Sequence, residues 1–241
     1  NIKIGKNAFK DCASVLLYDE MLSIPSNLFE ACSSLTHILI PSSVTSIGDH
    51  SFDGCSLLTQ IMIPSLVTSI GDYAFNGCSL LTEVLLETPA SLTSIGNFAF
   101  KDCSSLSHIL IPSSVKTIGD HSFEGCSLIE KITIPSLVTK IADFTFCECS
   151  SLEQIIIPHL VTSIGENAFK KCSKLSEVIF DVPTVLSVIG NGAFLQCESL
   201  KTITIPSSVT EIGSSVFCCC TLLEKIIFSP PVSITSIKDY S

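Results

Sequence analysis

A phenylalanine followed three residues later by a cysteine recurs along the whole chain, and this repeat limits what the chain can fold into. The pair occurs ten times in 241 residues, and after the first spacing of 20 the phenylalanines lie 23 or 25 residues apart. They are Phe9, Phe29, Phe52, Phe75, Phe100, Phe123, Phe146, Phe169, Phe194 and Phe217. Such a period predicts a solenoid, in which each unit packs only against its neighbours and stacking buries one core.

Each unit reads I-G-x-x-x-F-x-x-C-x-x-L-x-x-I-x-I-P-x-x-V-x-x, numbered here from its isoleucine as positions 1 to 23, and residues 95–117 carry it intact. Position 3 is mostly Asp or Asn, so we predict that it caps a helix. The F-x-x-C-x-x-L segment places apolar residues at i, i+3 and i+6, which predicts one or two turns of α or 3₁₀ helix. The following L-x-x-I-x-I alternates like a half-buried strand, and the proline ends it.

Stacked units of this kind predict an α/β repeat solenoid with a parallel β-sheet on one side and short helices on the other. We expect a single domain, residues 1–241, of about ten repeats of about 23 residues. The chain begins and ends inside a unit. We therefore expect it to be a fragment of a longer protein, truncated in mid-repeat at both ends.

The string L-x-x-I-x-I-P-x-x-V-x-x-I-G-x-x-A/S-F-x-x-C resembles the BspA-like (Treponema-type) leucine-rich repeats of surface proteins from host-associated anaerobic bacteria and parasitic protozoa. The first unit departs from it, with Tyr18-Asp19-Glu20-Met21 in place of I-x-I-P, and Pro25 and Ala142 stand where glycine is usual. The resemblance implies a right-handed superhelix with a concave sheet and convex helices. It also implies a cell-surface or secreted location and adhesion to host cells or matrix proteins.

Ten of the 13 cysteines occupy position 9. We predict that they are buried thiols, since a parallel stack suits disulfide geometry badly, although pairing or metal binding by some of them stays an alternative. Cys147, Cys218 and Cys219 occupy positions 7 and 8, which the predicted helix would turn towards solvent. There is no C-x-x-C, and two pairs of histidines lie 71 residues apart within a duplicated segment. No catalytic residue, metal site or cofactor is predicted.

The charge balance narrows the class of partner. Thirteen Lys and Arg stand against 23 Asp and Glu, a net charge of −10, so a phosphate backbone would be repelled and nucleic acid is not an expected partner. Although 46% of the residues are hydrophobic, no uninterrupted apolar run approaches the ~20 residues of a membrane-spanning helix. The expected partner is therefore a protein.

Within each strand positions 15 and 17 should face the core, which leaves positions 14 and 16 on the concave surface. Position 16 forms a predicted binding stripe of Leu39, Met62, Leu85, Leu110, Thr133, Ile156, Ile179, Thr204 and Ile227. Position 14 forms a polar rim of His37, Gln60, Glu83, His108, Lys131, Gln154, Glu177 and Lys225, with Thr202 in the same row. We expect a non-catalytic protein-binding module, with a self-associating scaffold as the alternative, although β-propensity alone would also place Ile and Leu in strands.

Three units carry two extra residues between the strand and the next unit. These insertion loops are residues 87–91, 181–185 and 229–233, and all of them should leave the same edge of the solenoid. Such loops are often recognition elements, but at two residues each they could equally be neutral.

Overall fold

In the computed structural model, which describes residues 9, 11–17 and 19–241, the chain winds into parallel coils. Most coils have a front strand, a short return strand and a turn that leads to the next coil. In two coils one of the strands is reduced to an isolated bridge, Ile24 with Ile47 and Lys131 with Gln154. The front strands are β1 (Ser14–Leu16), β2 (His37–Leu39), β4 (Gln60–Ile63), β6 (Glu83–Leu86), β8 (His108–Ile109), β11 (Gln154–Ile157), β13 (Glu177–Phe180), β15 (Thr202–Ile205) and β17 (Lys225–Phe228). Tyr18, in the divergent first unit, lies outside the described residues.

The return strands hold the opposite side of each coil. They are β3 (Ser46–Ile47), β5 (Ser69–Ile70), β7 (Ser94–Ile95), β9 (Thr117–Ile118), β10 (Lys140–Ile141), β12 (Ser163–Ile164), β14 (Val188–Ile189), β16 (Glu211–Ile212) and β18 (Ser236–Ile237). Every pairing between coils is parallel and in register, as in Ile70 opposite Ile95. The repeat predicted from sequence is therefore confirmed as a parallel β-solenoid.

The predicted convex helices are wrong: among the described residues the F-x-x-C segments are turns. The reason is visible at Phe98 and Asp102, where φ is +57° and +56°, whereas a right-handed helix needs negative φ throughout. The turn amides also bond between coils rather than along a helix. Phe123 N donates to Thr145 O at 2.9 Å and Gly125 N to Cys147 O at 2.8 Å.

Position 3 does not cap helices either, but links successive coils. Asp72 Oδ1 accepts a hydrogen bond from the backbone N of Asn97 at 2.7 Å, and Asn97 Oδ1 accepts one from Asp120 N at 2.9 Å. The adjacent glycine is required by the close approach of the coils. A Cβ on Gly96 would lie 2.6 Å from both Asp72 Oδ1 and the carbonyl carbon of Gly71, so position 2 has no room for a side chain at this spacing.

The core is a column of stacked phenylalanine rings with a column of thiols beside it. Ring centroids of neighbouring coils lie 5.1 Å apart for Phe52 and Phe75 and 5.9 Å apart for Phe194 and Phe217. Each position-9 thiol from Cys55 to Cys220 donates to the carbonyl oxygen of the preceding coil's phenylalanine, for example Cys126 Sγ to Phe100 O at 3.1 Å. The thiol therefore joins coils as well as filling core volume.

Both sheets are interrupted at one junction, between residues 107–118 and residues 130–142, and we call this gap the slit. Strands β8 and β9 pair with their preceding neighbours, but no described residue of the following coil continues either ladder. On the turn side the same coils stay bonded, with His121 N donating to Asp143 O at 2.9 Å. The front sheet also breaks between β2 and β4 and between β13 and β15, but there the return strands remain paired.

Ala142 lies at the opening on the return side of the slit. It occupies position 2, where a Cβ on Gly119 in the preceding coil would lie only 2.6 Å from the backbone N of Asn97. Gly119 N donates to Ile95 O at 3.0 Å, whereas the N–H of Ala142 makes no corresponding bond to Ile118. Lys238 also carries a Cβ at this position, and its N donates to Ile212 O at 3.0 Å.

Candidate functional site

The front face exposes most of the stripe predicted at position 16. Leu39 and Leu110 are about two-thirds exposed, at 65% and 67%, while Leu85 and Ile179 are half-buried. Positions 15 and 17 point inwards, as Ile61 and Ile63 show, so the strand register follows the sequence pattern. Met62, Thr133, Ile156, Thr204 and Ile227 complete the exposed set. The structure thus brings the stripe residues together along one face.

The polar rim at position 14 lies beside the stripe and is partly ordered by bonds between coils. Gln60 Nε2 donates to Glu83 Oε2 at 3.0 Å, and Gln154 donates in the same way to Glu177. His37, His108, Lys131, Thr202 and Lys225 are exposed. The rim therefore mixes both signs of charge around an apolar centre, which is the usual anatomy of a protein interface.

Two clefts open between an insertion loop and the front strand that follows it. The first, of about 490 Å³, lies between the loop at Pro89 and the strand end at Leu110, with Leu85 and Leu86 among its lining. The second, of about 420 Å³, is lined by Ile179, Phe180, Pro183 and Thr204. We call them the first and second clefts. The sequence pattern indicates the loops but not the cavities, because the shape of a cavity depends on the distance to the next strand.

The extra cysteines differ from one another. Cys219 is exposed, Cys218 is half-buried, and their Sγ atoms lie 3.5 Å apart. Cys147, predicted to face solvent, is buried at 3% exposure, and burial raises the pKa of its thiol to about 11. The prediction failed because it assumed a helix. In the actual turn this short side chain lies at the same position as the longer Glu124 and Lys170 of the neighbouring coils.

A second column of rings runs along the turns, and it was not predicted from the sequence. Its members occupy position 4 in five successive coils with ring centroids 4.4 to 4.6 Å apart: His50, Tyr73, Phe98, His121 and Phe144. His121 Nδ1 and Lys101 Nζ both contact Glu124 Oε2, at 2.6 and 2.9 Å. Burial opposes ionisation of Glu124, but these hydrogen bonds still lower its pKa. The signal was present in the sequence as aromatic residues at 23- and 25-residue spacing.

His50 and His121 serve in these surface contacts. Among residues 19–241 and the few described before them, no three His, Cys, Asp or Glu side chains lie close enough together to hold a metal ion. Over the same residues, no helix is long and apolar enough to cross a membrane.

Comparison with known proteins gives the same architecture. A crystal structure of a leucine-rich repeat protein from Bacteroides ovatus is 29% identical with a TM-score of 0.80, over 94% of this chain and 68% of that one. A leucine-rich cell surface protein from Faecalibacterium prausnitzii is 28% identical (TM-score 0.54, 94% of this chain, 63% of that one). The T. pallidum leucine-rich repeat protein is 25% identical (TM-score 0.53, 88% and 78%). No curated protein matches the chain.

The family model agrees with the repeat read from the sequence. The model of the BspA type leucine-rich repeat region matches residues 1–88, 84–183 and 179–241, with six copies. These three stretches overlap at their ends and leave no part of the sequence unmatched. The chain therefore belongs to the BspA-type leucine-rich repeat family.

Proposed function

We propose that the chain is a non-catalytic protein-binding module of a cell-surface protein and that it binds a protein partner through its front face. The observation that carries the proposal is the row of exposed apolar side chains at position 16, bordered by the polar rim. Contiguous apolar patches of this kind on a soluble protein are often interaction sites. The exposure of Leu39 and Leu110 is unexplained by folding, since neither side chain contributes to the core.

Adhesion to host cells or matrix proteins is the specific form of binding that we propose. The family resemblance supports it, as does the description of the F. prausnitzii relative as a cell surface protein. The net charge of −10 favours a partner surface with basic residues.

The test is binding of the purified chain to a panel of purified extracellular-matrix proteins, followed by an isotherm with the strongest binder. Replacing Leu85 and Leu110 together by Asp should lower affinity by roughly a thousandfold if each contributes about 2 kcal/mol. Lys101→Ala, on the turn side, serves as the matched control and should leave affinity unchanged. A melting curve for each variant shows that the fold is intact.

Two results would contradict the proposal. Unchanged affinity of a folded Leu85→Asp, Leu110→Asp variant would exclude the front face as the contact surface, and absence of binding to the whole panel would exclude matrix adhesion. Light scattering of the chain across concentration tests the self-associating alternative. A rise in mass that the double variant abolishes would assign the same face to contacts between copies.

A further inference from the structure

The first and second clefts are two copies of one site. Leu85, Leu86, Pro89 and Leu110 of the first correspond, after a shift of 94 residues, to Ile179, Phe180, Pro183 and Thr204 of the second. Their volumes, about 490 and about 420 Å³, are also similar. Each cleft can accept an apolar side chain between an apolar strand end and a proline of the loop.

The number of coils between the clefts is fixed by the repeat. A shift of 94 residues is four coils, since the successive spacings of 25, 23, 23 and 23 residues from Leu85 to Ile179 give 94. At about 4.8 Å per coil, the spacing of adjacent strands, equivalent points lie about 19 Å apart. An extended polypeptide that rises about 3.3 Å per residue covers this distance in about six residues.

One carboxylate occupies a corresponding position at each cleft. Glu83 lines the first, and Glu177 comes directly before Val178, which lines the second. Glu177 is exposed and Glu83 is half-buried. Lys or Arg next to the apolar side chain of a partner would therefore meet an opposite charge at each cleft.

We propose that the two clefts together bind one extended segment of a protein partner, which carries two apolar side chains about six residues apart, each next to Lys or Arg. The inference rests on the proposed function and names the kind of partner that the front face takes. When one anchor occupies its cleft, the second is held near the other cleft at high effective concentration, so two weak contacts give a much tighter complex.

The test uses a phage-displayed library of random 16-residue peptides, selected against the whole chain. We expect enriched peptides to carry two apolar and basic pairs five to seven residues apart. The matched variants are Leu110→Asp in the first cleft and Thr204→Asp in the second, because both side chains are exposed and occupy equivalent positions. Each should weaken binding of an enriched peptide at least tenfold, as should trimming the peptide to one pair.

Leu128→Asp is the control, since Leu128 is an exposed leucine outside the stripe and lines neither cleft. It should change peptide affinity less than twofold. A loss at one cleft position alone would leave front-face binding standing and overturn the paired clefts. A library that yields no binder, or only peptides with one anchor, would overturn the inference too. If all three variants bind normally while folded, both the inference and the proposed function are wrong.

Discussion

At the scale of single residues, the position-9 cysteine shows why a thiol suits a stacked core. Its side chain is small enough to lie beside the phenylalanine column, and its S–H bonds a backbone carbonyl of the preceding coil, as Cys78 does with Phe52 at 3.2 Å. Burial raises the pKa of the position-9 thiols from Cys32 to Cys220, that of Cys55 to about 12, so they remain protonated near neutral pH and react slowly. The same column could not be bridged by disulfides without pulling the thiols from their carbonyl partners.

We expect a thiol reagent at pH 7.5 to label Cys218 and Cys219 first, because they are the most accessible of the extra cysteines. Cys12, half-buried in the first described coil, should follow, and Cys147 should react only as slowly as the core thiols. Mass spectrometry of digested samples taken over time measures each rate. Cys147→Ser should leave the fast phase unchanged, and full labelling after denaturation is the control. Labelling of Cys147 as fast as Cys219 would contradict its burial.

At the scale of elements, the sequence predicted strands better than turns. Alternation in L-x-x-I-x-I determines which side chains are buried, so the front strands and their register could be read directly. The spacing of Phe, Cys and Leu at i, i+3 and i+6 does not separate a helix from a stacked turn. The segment is a helix if its backbone amides bond within it and a stacked turn if they bond to the next coil. The choice therefore depends on the neighbouring coil. Likewise, the clefts depend on where pairing with the next coil stops, after Val84 and Ile109 at the first cleft and between β13 and β15 at the second, which no single unit encodes.

Ala142→Gly should close the return side of the slit, because removal of the Cβ allows the amide of residue 142 to reach Ile118 O. One added hydrogen bond stabilises by about 1 kcal/mol, and the greater freedom of glycine in the unfolded chain offsets part of it. Hydrogen exchange is therefore the better measurement than a melting curve. Amides of residues 139–142 should exchange more slowly in the variant, while those of residues 162–165 should not change.

Gly96→Ala is the converse control for this prediction. Its new Cβ would lie 2.6 Å from Gly71 C and Asp72 Oδ1, so it should open an intact junction and destabilise the chain by about 1 to 3 kcal/mol. Unaltered exchange in both variants would show that the side chain at position 2 does not govern how closely coils approach.

At the scale of the whole molecule, the solenoid is a linear array whose stability is close to a sum over coils and their interfaces. Its ring column is continuous from Phe9 to Phe217. Each inner ring touches two neighbours, whereas Phe9 is half-buried and stacks with Phe29 alone among the described rings, tilted by 40°. The loss of unfolding free energy caused by truncating a core ring should therefore depend on the position of that ring along the array.

Phe123→Ala is expected to lower the free energy of unfolding by about 3 to 5 kcal/mol, because it leaves a cavity between two coils. Phe9→Ala should lower it clearly less, since its ring is partly exposed and has one partner. Urea unfolding followed by circular dichroism measures both, with Lys101→Ala as a surface control. Losses of equal size at the two sites would contradict nearest-neighbour stacking.

The slit lies between the two clefts, and this position has a mechanical consequence. Coils on either side of it are bonded along their turns but not along their front strands. Rotation about the turn side would therefore change the distance between the two halves of the front face, and with it the spacing of the two clefts. A longer side chain at residue 142 should widen that spacing.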